Sequence, residues 1–258
     1  MSESLKIIFN VSKMPELEQP YLVCGLPGSG YVGKLAVEHL IQEVGAKLLA
    51  DIYSNSFPPQ VMIKSDGTVD LMKNSLYYWK NDGKADMLIL TGDAQPSTPE
   101  SEYALGTEIL EIANKFHTKT VFTLAAYIIG VFVDKPKVYA TATDADLLKE
   151  LQSQGLHVMD GGSITGMNGL IIGLAKLKGM RGMCLLGETS GYVVDAKASQ
   201  AVLEALLNIV GVKVDMKNLE KRAKDTELLI QTIEQQMHKR SMGEQPPKQP
   251  SKDVGYIS

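Results

Sequence analysis

Apolar and polar positions along this chain fall into blocks whose period changes. Tyr21-Leu22-Val23-Cys24 is a short apolar run of the kind a buried strand uses, and from Tyr31 onward Val32, Leu35, Ala36, Leu40 and Val44 recur at helical spacing. Between them, Gly25-Leu26-Pro27-Gly28-Ser29-Gly30 continues neither pattern, so the chain turns there. Strand, glycine loop and helix form the opening unit of an α/β sheet.

The alternation goes on. Residues 6–10 and 47–53 read as strands, and Ser56-Phe57-Pro58-Pro59 breaks the second. Residues 61–63 and 68–72 flank Lys64-Ser65-Asp66-Gly67, and Asp-Gly between apolar runs is a strong hairpin signal. Leu76-Tyr77-Tyr78-Trp79 is expected to add a third strand to that antiparallel patch. Residues 86–91 (DMLILT) read as a strand buried on both faces. A helix then starts with Thr98 as cap, Pro99 in first position, and Glu100 and Glu102 near its positive end. It carries Leu105, Ile109, Ile112 and Phe116 inward. Strands follow at 120–126 and 138–141, with a helix capped by Asp144 and a strand end at 157–159. Asp160 to Gly169 (DGGSITGMNG) is a second glycine-rich connection into a helix bearing Leu170, Ile171, Leu174 and Leu177. Residues 183–186 give the last core strand and 194–210 an amphipathic helix. The prediction is an α/β fold: a three-layer, mostly parallel sheet with one antiparallel hairpin flap and a long C-terminal helix. The two glycine connections should share the edge where such sheets place ligand clefts.

The pattern divides the chain into a core over 1–212, a helix over 213–240 and a tail over 241–258. In the helix, Met216, Leu219, Ala223, Thr226, Ile230, Ile233 and Met237 alternate in steps of three and four, a short heptad seam. Packing on its own domain and packing on a partner or second subunit both fit. After Ser241 the composition changes, and from Gly243 through Asp253 no side chain but proline is apolar, a composition that cannot bury enough surface to fold. As flexible coil this tether has an r.m.s. reach of roughly 20 Å. It ends in Val254-Gly255-Tyr256-Ile257-Ser258, and an apolar, aromatic end on a loose tether suits a peptide ligand whose carboxylate meets a lysine. The alternative is a frayed terminus with no role.

The 258 residues are 44% hydrophobic, ample for a core, and their apolar runs are too short to span a bilayer. No signal-peptide pattern opens the chain, and two unpaired cysteines, Cys24 and Cys184, in apolar runs fit a reducing cytoplasm. A net charge of −4 with interspersed signs gives no electrostatic case for nucleic acid.

Candidate chemistry is sparse. Gly28-Ser29-Gly30-Tyr31-Val32-Gly33 spells G-x-G-x-x-G after a strand, which suits a dinucleotide pyrophosphate at a helix start. Gly28 to Lys34 also spells G-x-x-x-x-G-K, but Leu35 stands where a magnesium-binding hydroxyl is required. The same glycines equally serve a tight turn and close helix–strand packing, and that reading is preferred. Gly28, Ser29, Gly30, Gly33 and Asp93 together outline a possible ligand cleft. Asp93, like Asp51 and Asp160, suits either a ribose or base role or a loop cap. Lys34 suits a phosphate or plain solvation. The four histidines show no ligand spacing, no G-x-S-x-G elbow is present, and neither a catalytic residue, a metal nor a cofactor is expected.

The early glycine turn into a helix, Gly92-Asp93-Ala94-Gln95-Pro96 after a buried strand, and Asp160-Gly161-Gly162 through Gly169 before the next helix resemble the proteasome assembly chaperone (PAC) family in its archaeal form. The resemblance covers roughly residues 5–210 by order and spacing. It implies a nucleoside-phosphorylase-like α/β fold without established catalysis, homo-oligomers, and a C-terminal tail that docks between proteasome α-subunits. Val254, Tyr256, Ile257 and Ser258 are then the partner-binding residues. The family tail ends hydrophobic–tyrosine–any residue, whereas here Tyr256 is third from the end and follows Gly255. A tyrosine seated in its usual pocket would displace the Ser258 carboxylate by one residue, up to about 3.5 Å. The implied function is a non-enzymatic chaperone or adaptor. The competing class is a nucleotide- or nucleoside-dependent enzyme built on the loop at Gly28–Gly33.

Overall fold

The computed structural model describes residues 5–81 and 86–226. The expected heptad residues Ile230, Ile233 and Met237 and the tail residues Val254, Tyr256, Ile257 and Ser258 lie outside that range.

Eleven strands are described: β1 (Leu5–Phe9), β2 (Tyr21–Cys24), β3 (Lys47–Ser54), β4 (Val61–Ile63), β5 (Val69–Leu71), β6 (Asn74–Trp79), β7 (Met87–Gly92), β8 (Thr120–Ile128), β9 (Val138–Ala142), β10 (His157–Val158) and β11 (Arg181–Thr189). Five helices accompany them: α1 (Val32–Val44), α2 (Pro99–Lys115), α3 (Ala145–Ser153), α4 (Met167–Leu177) and α5 (Ala196–Val210). Nine strands form one sheet in the order β1-β3-β6-β7-β2-β8-β11-β9-β10. Its centre, β7-β2-β8-β11, is parallel throughout. On one side β6, β3 and β1 extend it antiparallel, and on the other β9 runs antiparallel to β11. Parallel neighbours need a long crossover, usually a helix. Helix α1 follows β2, α2 joins β7 to β8, and α3 and α4 lie on the path from β8 to β11.

The parallel strands are buried on both faces, as their unbroken apolar runs require. Leu22 and Cys24 of β2 and Leu88 and Leu90 of β7 point into the layer of α2 and α4. Val23, Met87 and Ile89 point the other way, into the layer of α1 and α5. Successive side chains thus feed two cores, which makes the three layers. Helix α2 begins as its sequence indicates: Thr98 accepts from the Ser101 N–H, and Pro99 opens the first turn.

The hairpin flap is present, with β4 and β5 forming a separate two-stranded sheet around Asp66 and Gly67. Strand β6 does not join it. Leu76 is fully buried and pairs with Leu90 in the main sheet. An apolar run rich in aromatics specifies a strand but not its neighbour, and the core of α2 and α4 offers β6 far more burial than a two-stranded ribbon.

Beyond α5, residues 217–226 are helical. Leu219 is buried in the core shared with α1 and α5, Ala223 is buried beside α5, and the His39 ring lies 2.7 Å from the Asp215 carbonyl. The first part of the heptad seam therefore packs on its own domain. Among the described residues, no helix is long and apolar enough to cross a membrane.

Candidate functional site

Adjacent strands β2 and β7 send their following helices to opposite faces of the sheet, α1 to one and α2 to the other. The carboxyl ends of such a strand pair open the crevice where this class of sheet holds ligands. Both sequence-flagged glycine connections meet at this edge. The loop after β2 carries Gly25 to Gly30, the loop after β7 carries Asp93 and Gln95, and α4 starts at Met167 behind the second glycine stretch.

Gln95 ties the three together. Its amide nitrogen donates to the Pro27 carbonyl, and its amide oxygen accepts from the Met167 N–H at 2.7 Å. Gly166 gives it room, since a Cβ there would lie 2.7 Å from the Gln95 oxygen. Asn168 adds a second tie, accepting from the Leu26 N–H at 3.4 Å. The mouth of the crevice is thus spanned by the protein's own amides. Gln95 and Asn168 both lie in stretches that the sequence singles out, but no local pattern gives either side chain a role. Their partners lie 68 to 142 positions away, and the residue types alone are ordinary loop residues.

The glycines divide by neighbour. A Cβ at Gly33 would fall 1.9 Å from the Leu124 carbonyl oxygen of β8, and one at Gly25 would fall 2.2 Å from the Gly33 carbonyl oxygen. These two let α1 lie directly on the sheet. Gly30 adopts the left-handed region, with φ of 61°, and a Cβ there would meet Thr189 and Asp195. The Asp195 N–H donates to the Gly30 carbonyl at 2.8 Å, and Thr189 donates to the Asp195 carboxylate at 2.7 Å. A carboxylate therefore stands against the turn. Gly28 and Ser29 are exposed, and nothing lies within 4 Å of a Cβ at Gly28.

The charged candidates have protein partners. Lys34 donates to the Gly92 carbonyl and pairs with Glu38 at 2.8 Å. Asp93 accepts from the Lys73 N–H at 3.1 Å while its own N–H donates to the Lys73 carbonyl at 2.9 Å, closing the β6–β7 end as a loop cap does. Asp51 is buried and held by Lys73 at 3.0 Å and Ser75 at 2.7 Å. Burial pushes the Lys73 ammonium down, but the hydrogen bond and charge of Asp51 outweigh it, so the group titrates above its ordinary range. Asp160 is exposed on its loop. The structure brings Gly28, Ser29, Gly30, Gly33 and Asp93 to one edge of the sheet.

Two surface hollows of about 440 and 450 Å³ lie elsewhere, one between the 134–136 loop and α5, the other beside the hairpin at Phe57, Pro58 and Leu71. Among the described residues no group of three or more histidine, cysteine or acidic side chains is placed to hold a metal ion.

A profile of the PAC2 family matches residues 22–234. The chain belongs to the PAC2 family. This bears out the resemblance carried by the two glycine connections and the Gly92–Pro96 stretch. Among PAC2-like structures, the chain is similar to Pyrococcus furiosus PbaB, described as an archaeal proteasome activator, with a TM-score of 0.84, 40% identity, and cover of 91% of this chain and 100% of that one. It is also similar to Pyrococcus furiosus PbaA, described as an archaeal homolog of proteasome-assembly chaperone, with a TM-score of 0.74, 28% identity, and cover of 92% and 94%. The uncharacterized protein MJ1210 of Methanocaldococcus jannaschii is 36% identical over 251 residues, 96% of this chain and 95% of that relative.

Proposed function

We propose that this PAC2 protein is a non-enzymatic proteasome assembly chaperone or adaptor. It self-associates through its α/β body and offers the tail residues Val254, Tyr256, Ile257 and Ser258 to proteasome α-subunits. The observation that carries the reading is the likeness to PbaB, at 40% identity over 91% of the chain. The likeness to PbaA, described as a homolog of a proteasome-assembly chaperone, supports the same class. The crevice adds to it, because Lys34, Asp93 and the glycine turn are engaged with the protein's own groups. One tail alone binds weakly, and several on one scaffold gain through effective concentration.

The test is capture of purified α-subunit rings by the full-length protein and by a version ending at residue 253. Full-length protein should retain the rings, and loss of residues 254–258 should weaken retention at least tenfold. Equal retention by both would remove the tail from the function. Retention by neither would remove the α-subunit as partner.

A further inference from the structure

Three loops meet where the carboxyl ends of β8 and β11 reach the start of α1. They are the turn ending at Tyr31, the 129–137 loop after β8 and the 190–195 loop after β11. Each is fastened to another. Asp195 N–H donates to the Gly30 carbonyl at 2.8 Å, Ile129 N–H donates to the Thr189 carbonyl at 2.9 Å, and Gly191 N–H donates to the Thr189 hydroxyl at 3.2 Å. Gly130 and Gly191 both take left-handed backbone, with φ of 74° and 81°. A Cβ at Gly191 would lie 3.2 Å from the Ile128 side chain, and one at Gly130 would lie 4.0 Å from the Tyr192 hydroxyl. The loops therefore form one built ridge rather than separate excursions.

What the ridge displays is apolar. Tyr31, Ile128, Val131, Phe132, Tyr192 and Val194 are all exposed, Tyr192 at 76%. With aromatic side chains offering 150–250 Å² each, together they show on the order of 600 Å². That stands at the upper end of the largest patch on an ordinary monomer, about 300–600 Å². It approaches the roughly 800 Å² that one partner contributes to a stable interface. Because the backbone beneath is already hydrogen-bonded, covering these side chains orders little that is not ordered already.

The geometry points to a second copy of this chain as the occupant: the ridge is the face through which subunits meet. The inference rests on the self-association part of the proposed function and names the surface that performs it. Area favours it, since an obligate contact between copies is the more apolar class of interface. Charge does not oppose it. The rim carries both signs, with Lys197 and Asp134 paired at 3.4 Å and Lys135 beside them, so no single-sign field stands against a second copy. The β4–β5 hairpin also exposes Val61, Met62, Ile63, Val69 and Leu71, but none of these five is an aromatic anchor.

Sedimentation velocity of the full chain across a concentration series at and above about 10 µM tests the assignment. Three proteins are compared: the native chain, Tyr192→Glu with Phe132→Ser on the ridge, and Ile63→Glu with Val69→Glu on the hairpin. Tyr192→Ser alone serves as a milder ridge variant should the double change fold poorly, with circular dichroism checking the fold. The expected result is an assembled native protein, a hairpin variant that assembles like it, and ridge variants that are folded yet self-associate at least tenfold more weakly. Ridge variants that assemble as the native chain does would overturn the assignment and leave self-association standing. Dissociation by the hairpin variant alone would move the interface there. A native chain that stays monomeric throughout the series would overturn both.

Discussion

The carbonyl oxygen of Leu124 occupies the place where a side chain on Gly33 would begin, 1.9 Å from its first carbon. Backbone on β8 cannot step aside the way a flexible side chain can, so the helix would have to lift. Gly33→Ala should therefore lower unfolding free energy by about 3 kcal/mol or more in urea titration, at the severe end of overpacking. Gly28→Ala should change it by less than about 0.5 kcal/mol, as at an unconstrained surface position. Nothing lies within 4 Å of that site, and Gly28 has extended backbone with φ of −165°. A pyrophosphate-binding loop would demand the opposite ranking in a ligand-binding assay.

Gln95 joins two loops that the sheet alone would leave as neighbours. Gln95→Ala strands the Met167 N–H and the Pro27 carbonyl, partners it holds now. The cost should be about 1–3 kcal/mol of stability. Hydrogen exchange should quicken at the Met167 and Asn168 amides while the β2 amides stay protected. Uniform quickening over the whole chain would mean that Gln95 is not a local tie.

Acid should loosen the helix starts. Backbone N–H donation from Leu147 holds the Asp144 carboxyl below the usual range, and donation from Lys217 does the same for Asp215. A depressed folded value means that each contributes stability above the ordinary carboxylate pKa of about 4 and loses it as pH falls through the folded value. Asp144→Asn keeps an acceptor at the cap and removes the charge. Unfolding free energy measured from neutral pH down to about pH 3 should fall less steeply for that variant than for the native chain.

Much of the fold was legible because local pattern and final environment agree. The run at Met87–Leu90 is buried on both faces as its composition indicates, and Thr98, Pro99 and Asp144 act as the caps they resemble. Legibility ended where the outcome depends on remote partners. Leu76 to Trp79 announced a strand, but only the three-dimensional competition between the hairpin and β7 decides which edge it takes. The crevice residues were flagged through their glycines and Asp93, while the bonds of Gln95 and Asn168 connect positions no local window contains. The ridge has no signature in the sequence, since Ile128, Phe132 and Tyr192 show no period and become one surface through Gly130 and Gly191.

Cys24 and Cys184 are both fully buried, and burial pushes the Cys184 thiol up to about 12 and the Cys24 thiol higher still, with Thr123 opposing at Cys184. Neither presents a thiolate to a reagent at neutral pH. A maleimide dye added to the native fold should thus stay colourless on the protein, and its uptake becomes a clock for global opening. The same silence makes the chain a clean host for a fluorophore or spin label at any engineered surface cysteine, with no need to erase the natural ones first.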